Sequence, residues 1–516
     1  MAAGAQSDVR PGAAPDAAAP RRGGPRALAP VRALAARIPT AAWVCALVAV
    51  LNAASWSLLT PAFQVPDEQS HYAYTEYLTH HWQPPRTRGA DSLSTSEELA
   101  LVALDSEGIR FQANDPTIWS ALQQRQLQRG LDAHASRSDG NGAALEVGGE
   151  PPLFYALQAV PYELGSGGSV LDRTALMRLL SALLGGVTVL FTFLFLREAL
   201  PEAPWTWTVG ALGVAFQPLF GFMTSGINSD VLLYTTAAAT FYLLARAFRR
   251  GLTPGLAVAI GCALAAAVMT KFNAAGLLPG AVLALVLLAV RQEGMRLHAL
   301  RLPALALAIA LAPLLAEMLL NATIWGRPVV GATAGNFSTG DIHPSLGQAA
   351  RYIWQFYALR LPGASHTLSS AIPFRDLWLN GFIGSFGYVE TRFHAWVYDV
   401  ALVPFALLAL LAARTLVVRR AVARARRLEL LSYAGVVAGF MLFVGVASYV
   451  LWAHTGASIA QTRYMLPLLP LYGALLALAT RGAGPRWMGI VGTTIVVLAI
   501  AHDVFSQLLL VSRYYA

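Results

Sequence analysis

Apolar runs about as long as a bilayer is thick, separated by charged or proline-rich stretches, set the pattern of this chain. A hydrocarbon core of about 30 Å takes about 20 helical residues. Eleven stretches of that kind lie near 41–60, 174–196, 205–223, 229–246, 254–270, 273–290, 302–320, 396–413, 430–452, 464–480 and 487–510. The second and third, and the fifth and sixth, are joined by very short turns. The pattern predicts an all-α polytopic membrane protein with about eleven transmembrane helices.

The arginines orient these spans, because Lys and Arg near span ends are retained on the cytoplasmic side. Arg10, Arg21, Arg22, Arg26, Arg32 and Arg37 precede the first span. With that end inside, the alternate loops carrying Arg246 to Arg250, Arg291 to Arg301, Arg414 to Arg427, and Arg481 with Arg486 also fall inside. This places the N-terminus in the cytoplasm and the C-terminus outside. Residues 1–40, rich in Ala, Pro, Gly and Arg without periodicity, read as a disordered cytoplasmic tail. The stretch before the first apolar run is too long for a signal-peptide n-region, and the run is long enough to span, so cleavage is not expected. The 41–516 remainder forms one transmembrane domain with two long external loops, about 61–173 and 321–395. Loops of that length are usually functional or separately folded. The first holds a predicted helix from Asp67 to about His81; the second holds the amphipathic piece SLGQAARYIWQFYALRL, whose aromatic residues suit a membrane interface.

Composition agrees with the pattern and narrows the function. Hydrophobic residues make up 56% of the 516 and charged ones 13%, against roughly 25% charged in soluble domains, and mean hydropathy is +0.52. A soluble enzyme, a disordered protein and a nucleic-acid binder are excluded. The net charge of +9 comes largely from the arginines that fix topology. Cys45 and Cys262 lie in apolar runs without metal or disulfide spacing. Lys271 is the single lysine.

Against so little charge, the polar residues near the external span ends stand out. After the first span comes PDEQSH, where Asp67, Glu68 and His71 share one helical face. This is either an acidic helix start with a solvated histidine or part of a site. Asn228 and Asp230 open the fourth span, Lys271 occupies the turn after the fifth, and Arg463 and Tyr464 open the tenth. Charges bordering apolar runs cost roughly 2.5–3.5 kcal/mol toward mid-bilayer and need partners or a substrate. A lysine or arginine snorkelling at a helix end is the bland alternative for each cation taken singly. Acids from one loop and cations from distant spans on one leaflet suit group transfer from a lipid phosphate: a carboxylate takes the proton of an attacking hydroxyl, and Lys and Arg meet the charge on the departing phosphate. The one cofactor these residues suggest is a divalent cation, magnesium or manganese, held by Asp67 and Glu68. Glu317 and Glu390 could face the same cavity, with pairing to Arg327 or Arg392 as the alternative. Asn321 and Asn336 fit glycosylation sequons on the external side.

PDEQSH, then EPPLFYAL from Glu150, NSDVLL from Asn228, the isolated Lys271, GFIGSFGYVE from Gly381 and QTRYMLPLLP from Gln461 together resemble a bacterial family of multi-spanning membrane proteins known as a domain of unknown function. That family is similar to the GT-C glycosyltransferases, which include protein O-mannosyltransferases, aminoarabinose transferases and arabinosyltransferases. The resemblance runs from about 41 to 480. It implies a GT-C-like helical fold, a polyprenyl-phosphate sugar as donor, and an aspartate of the first external loop as the catalytic group. Carried onto this chain, Asp67 would be the base or metal-organising acid, Glu68 its partner, and Lys271, Arg463 and His71 would stand toward the donor phosphate. Glu150, Asn228, Asp230, Tyr388, Glu390 and Tyr464 would line the substrate cleft. Two departures touch the acceptor side: Glu150 stands where relatives often have His or Lys, and Tyr388 where Trp is expected.

The expected function is a multi-pass glycosyltransferase of the bacterial plasma membrane. It would act on a lipid-linked sugar and on an envelope glycan, lipid or protein acceptor, with no nucleic-acid partner. A lipid or polysaccharide transporter (flippase), with charges near the midplane of symmetric halves, and a non-catalytic scaffold for envelope assembly are the alternatives.

Overall fold

A computed structural model describes residues 1, 38–86, 92–111, 120–132, 135–143, 147–294, 296–327, 345–358, 374–455 and 461–515. The chain divides at Thr40, and everything reported below belongs to the unit from Ala41 onward together with Thr40 itself. Residues 2–37 of the expected cytoplasmic tail and the Asn336 sequon lie outside the described residues, and Thr40 already opens the first helix.

The protein is an all-α, multi-pass membrane protein. Among the described residues nine helices are long and apolar enough to cross a bilayer: Thr40–Leu59, Val170–Ala199, Asp230–Arg250, Phe272–Glu293, Leu297–Trp325, Ala395–Val418, Arg427–Ala453, Thr462–Gly482 and Met488–Tyr515. Two of the eleven expected spans take another form. The stretch near 205–223 is two helices, Pro204–Ala215 and Pro218–Thr224. Pro218 has no N–H to continue the first helix, and the Gln217 side chain caps the second by accepting the Phe220 N–H at 2.6 Å. The stretch near 254–270 is a helix of 15 residues, Pro254–Val268, that gives way to the turn holding Lys271.

Helix Asp230–Arg250 is central, with 83% of its apolar stretch buried, whereas Ala395–Val418 has 11% buried and presents most of its surface outward. Leu233, Phe241 and Leu244 of the central helix pack with Phe195, Ile260, Leu264, Leu285 and Phe440 in the main core. Helices Leu278–Glu293 and Arg427–Thr455 approach through small residues. A Cβ on Gly280 would lie 2.2 Å from the Val436 nitrogen, and one on Gly439 would lie 2.4 Å from the Gly276 carbonyl oxygen. Gly276 and Gly280 thus face Gly435 and Gly439, the small-xxx-small contact that lets membrane helices meet backbone to backbone.

The two ends of the bundle differ in charge. At one end Glu198 gathers Arg246, Arg249 and Arg250, Glu202 takes Arg419 and Arg481, and Glu429 takes Arg426. Arginines from sequence-distant loops therefore converge on one rim. About 30 Å away along the helix Val170–Ala199, a full hydrocarbon thickness, Arg178 sits at the other end and holds a cap built from the first long loop.

In the cap, helices Glu68–His81 and Leu153–Leu164 bury Tyr72, Tyr74, Phe154, Tyr155 and Tyr162 against Phe63, Met177 and Ile227. Tyr74 and Tyr155 stack with centroids 3.6 Å apart. The pin of this cap is Glu68. Its side chain is fully buried, Arg178 meets it with two bonds of 2.7 and 2.6 Å, and the Phe63 and Ile227 N–H groups donate to it at 2.8 and 3.0 Å. The remaining Arg178 donors go to the Thr60 and Pro61 carbonyls at 2.8 Å each. Removing one member of a buried pair leaves the other charge unpaired and costs about 3–5 kcal/mol. Arg178→Met should therefore lower the thermal unfolding temperature of the detergent-solubilised protein markedly, as measured by a fluorescence unfolding scan.

Candidate functional site

The predicted helix after PD runs Glu68–His81, with Asp67 in the N-cap position at φ 62°. Positive φ is uncommon for a residue other than glycine and persists only where surroundings over-determine it. Here they do. The Asp67 N–H donates to the Tyr388 hydroxyl at 2.9 Å, Asn228 Nδ2 donates to the Pro66 carbonyl at 2.9 Å, and the Asp67 carbonyl accepts the His71 N–H at 3.0 Å. The result aims the Asp67 side chain away from its own helix and toward Arg463, Nη2 to Oδ2 at 2.5 Å.

Both cations arise from the same local device. Lys271 immediately precedes the 3-10 turn Phe272–Leu277, and Arg463 lies in the 3-10 turn Thr462–Leu468. Pro279 and Pro470 stand near the starts of the α-helices that follow. Each span thus begins with non-α backbone, tolerated at membrane depth only where protein or a cavity surrounds it. Lys271 Nζ reaches Asp230 at 2.9 Å and Glu150 at 3.3 Å, and Asp230 in turn lies 3.7 Å from Arg463 Nε. Asn228 fixes the Asp230 backbone by accepting its N–H at 2.9 Å. The Tyr464 ring lies 5.2 Å from the Arg463 guanidinium and 6.0 Å from Lys271 Nζ.

The structure therefore brings Asp67, Lys271, Arg463, Glu150, Asn228, Asp230 and Tyr464 into one cluster, with Tyr388 beside it. Three carboxylates face two cations there. Asp67 is the open member: its side chain is 32% exposed, against 12% for Lys271 and 5% for Arg463. Burial pushes the Asp67 carboxyl up, but Arg463 and the other positive groups outweigh it and hold the group below the usual carboxylate range. Burial likewise opposes the charge on Glu150, and Lys271 reverses that effect. Burial also works against the charged form of Lys271, yet Asp230 and Glu150 hold it above the ordinary lysine value.

Three expectations change in this setting. Glu68 points into the cap, and both its oxygens are committed to Arg178 and to backbone N–H groups, so it does not face the cluster beside Asp67. For the same reason Asp67 and Glu68 do not offer a cation two free carboxylates, and no group of three or more metal-ligating side chains forms among the described residues. His71, placed above toward the donor phosphate, contacts Tyr155 instead, Nδ1 to hydroxyl 2.9 Å, and that hydroxyl donates to Glu150 at 2.7 Å. The network assigns the proton to Nδ1. Burial pulls His71 down to about 4, so the ring is neutral and brings no positive charge to a phosphate.

Glu390 stays apart from the cluster. Burial raises it to about 7, and Arg392 donates to the Val389 carbonyl at 2.7 Å. Glu317 faces Arg327 at 3.9 Å, as the pairing alternative expected. Arg178, Tyr155 and Arg110 are the residues that sequence reading missed. An arginine inside the apolar run 174–196 was the available signal for the first, and the EPPLFYAL motif contains the second; Arg110 carried none.

Two clefts reach this region. One is a tight crevice of about 20 Å³ that runs from Pro66 and Arg463 along Leu219, Phe222, Met223 and Leu377. The other, of about 550 Å³, opens in the cap beside Gln69 and Arg110.

Among solved structures, the chain is similar to ArnT from Cupriavidus metallidurans in the apo state, at 17% identity with a TM-score of 0.41 over 81% of this chain and 59% of that one. It is similar also to the Archaeoglobus fulgidus oligosaccharyltransferase in the apo form, at 12% identity with a TM-score of 0.41 over 92% of this chain and 55% of that one. The chain thus spans little more than half the length of either protein. No curated protein matches it significantly in sequence. A family model does match, across residues 50–472, and by that match the chain belongs to the family described as predicted membrane protein (DUF2142).

Proposed function

We propose that the protein is a membrane glycosyltransferase of the GT-C kind, moving a sugar from a polyprenyl-phosphate donor to a cell-envelope acceptor at the external face of a bacterial plasma membrane. The observation that carries this reading is the meeting of a partly exposed carboxylate, Asp67, with Arg463 and Lys271 at the end of an apolar cleft. The apolar side chains that line this crevice suit the start of a prenyl chain, which has to part them to enter, and the cations suit the phosphate it carries. The convergence of loop arginines on the opposite rim supports an orientation with the N-terminus inside and this site outside.

In the proposed reaction the acceptor hydroxyl oxygen attacks the anomeric carbon and its proton passes to Asp67. The bond between that carbon and the phosphate oxygen breaks, and the electron pair leaves with the lipid phosphate, whose charge Arg463 and Lys271 meet. Attack from the face opposite the leaving group inverts the anomeric centre. Without donor, Asp67 is tied to Arg463 and is a weak base. A donor phosphate competes for the same guanidinium, so its arrival frees the carboxylate and makes it more basic. Glu68, His71 and Asn228 hold the geometry and do not touch the reacting atoms.

Asp67→Asn tests the assignment, because asparagine tolerates positive φ and keeps the helix start. In vesicles supplied with a lipid-linked sugar it should lower turnover by about 10²–10⁴ in protein that still elutes as a folded, monodisperse species. Wild-type turnover would remove Asp67 from the mechanism.

The exchange of partners has its own signature in pH profiles. The base works ionised, so activity falls as pH drops through its pKa. For the free enzyme, read in kcat/KM, that acid limb should lie below the ordinary aspartate value of about 3.9. For the donor complex, read in kcat, it should lie higher. Coincident limbs would show that Arg463 never releases Asp67.

A further inference from the structure

The larger cleft of the cap borders the charged cluster without belonging to it. It lies between helices Glu68–His81, Thr95–Ala103 and Ser106–Phe111, with exposed Glu98, Asp105 and Glu107 on its rim. Its floor is polar and buried: Gln69 is 7% exposed, Ser106 1% and Arg110 9%. Each keeps one buried atom without a hydrogen-bond partner, Gln69 Oε1, Ser106 Oγ and Arg110 Nε. Three of the unpaired buried atoms among the described residues thus belong to side chains that line one cleft. The Arg110 guanidinium lies 4.8 Å over the Tyr388 ring, whose hydroxyl accepts the Asp67 N–H. The floor is therefore continuous with the mouth of the candidate active site.

The side chains of Gln69, Ser106 and Arg110, which line the cleft, describe a ligand. The amide oxygen accepts, the guanidinium N–H donates, and the serine hydroxyl does either. A ligand rich in hydroxyl groups answers all three, since each hydroxyl both donates and accepts. Leu93, Leu101 and Val102 supply an apolar wall for the C–H face of a sugar ring. The rim carboxylates accept from hydroxyl or ammonium groups, and facing a single arginine they repel anions. We propose that this cleft binds a glycan that is neutral or carries amino groups and rejects phosphorylated or sulfated ones. That this glycan is the acceptor rests on the transferase reading above; that the cleft binds it does not.

The test uses the full-length protein in detergent on an array of neutral, amino-substituted, phosphorylated and sulfated oligosaccharides. Wild type should retain neutral or amino glycans. The double variant Glu98→Arg, Glu107→Arg changes only exposed positions and should bind them about tenfold more weakly, the loss of one or two charge-assisted hydrogen bonds. Should the double variant fail to fold, Glu98→Arg alone gives the same comparison with one substitution. Preference of the wild type for anionic glycans, retention of no glycan, or unchanged binding by the rim variant would each overturn the proposal. Asp67→Asn should still bind the array. Glycan binding by a wild type that transfers no sugar would sink the transferase reading and leave the cleft standing.

Discussion

The buried pair of Glu68 and Arg178 is the constraint on which the rest of the site depends. Two opposite charges taken out of water are tolerable only with close geometry and every remaining donor and acceptor used. Here the carboxylate receives four donors, while the guanidinium also reaches carbonyls at the end of the first membrane helix. One ion pair thus ties together the exit of the first span, the start of the cap helix, the second long span and the turn before Asn228. Asp67 inherits its place from this knot. With the residue after it fixed and its own N–H held by Tyr388, the left-handed conformation is the one left to it.

A second level of organisation lies in the charges that are not satisfied so fully. Glu68 has no free valence, whereas Asp230 Oδ2 and Arg463 Nε keep no hydrogen-bond partner and Asp67 is partly open to solvent. The contrast separates what holds the site from what can act in it. In the membrane-embedded region, one group of polar side chains follows the first pattern. Asn52, Trp56, Asp503 and Gln507 bond to one another across the first and last spans, a closed network that fastens two helices.

Much of this was legible along the chain. The apolar runs located the helices, and the scarcity of charge directed attention to Asp67, Asp230, Lys271 and Arg463, which do meet. What the sequence could not convey was the partner of each charge. Adjacent residues of one motif, Asp67 and Glu68, read as a matched pair, yet the left-handed turn between loop and helix sends them to opposite sides. His71 shares their helical face on paper, but the aromatic stack of Tyr74 and Tyr155 closes around it and leaves it neutral. The break at Gln217 and Pro218 was written in the sequence, but hydropathy alone averages across it.

The cap is fastened on its far side as well. The Leu153 N–H donates to the Met269 carbonyl at 3.1 Å, two residues before Lys271, and Glu150 binds that lysine directly. Together with the Glu68 knot, this makes the cap a fixed roof attached along two walls rather than a hinged door. A substrate that approaches Asp67 along the described part of the cap therefore meets walls that the Glu68 and Glu150 contacts hold together.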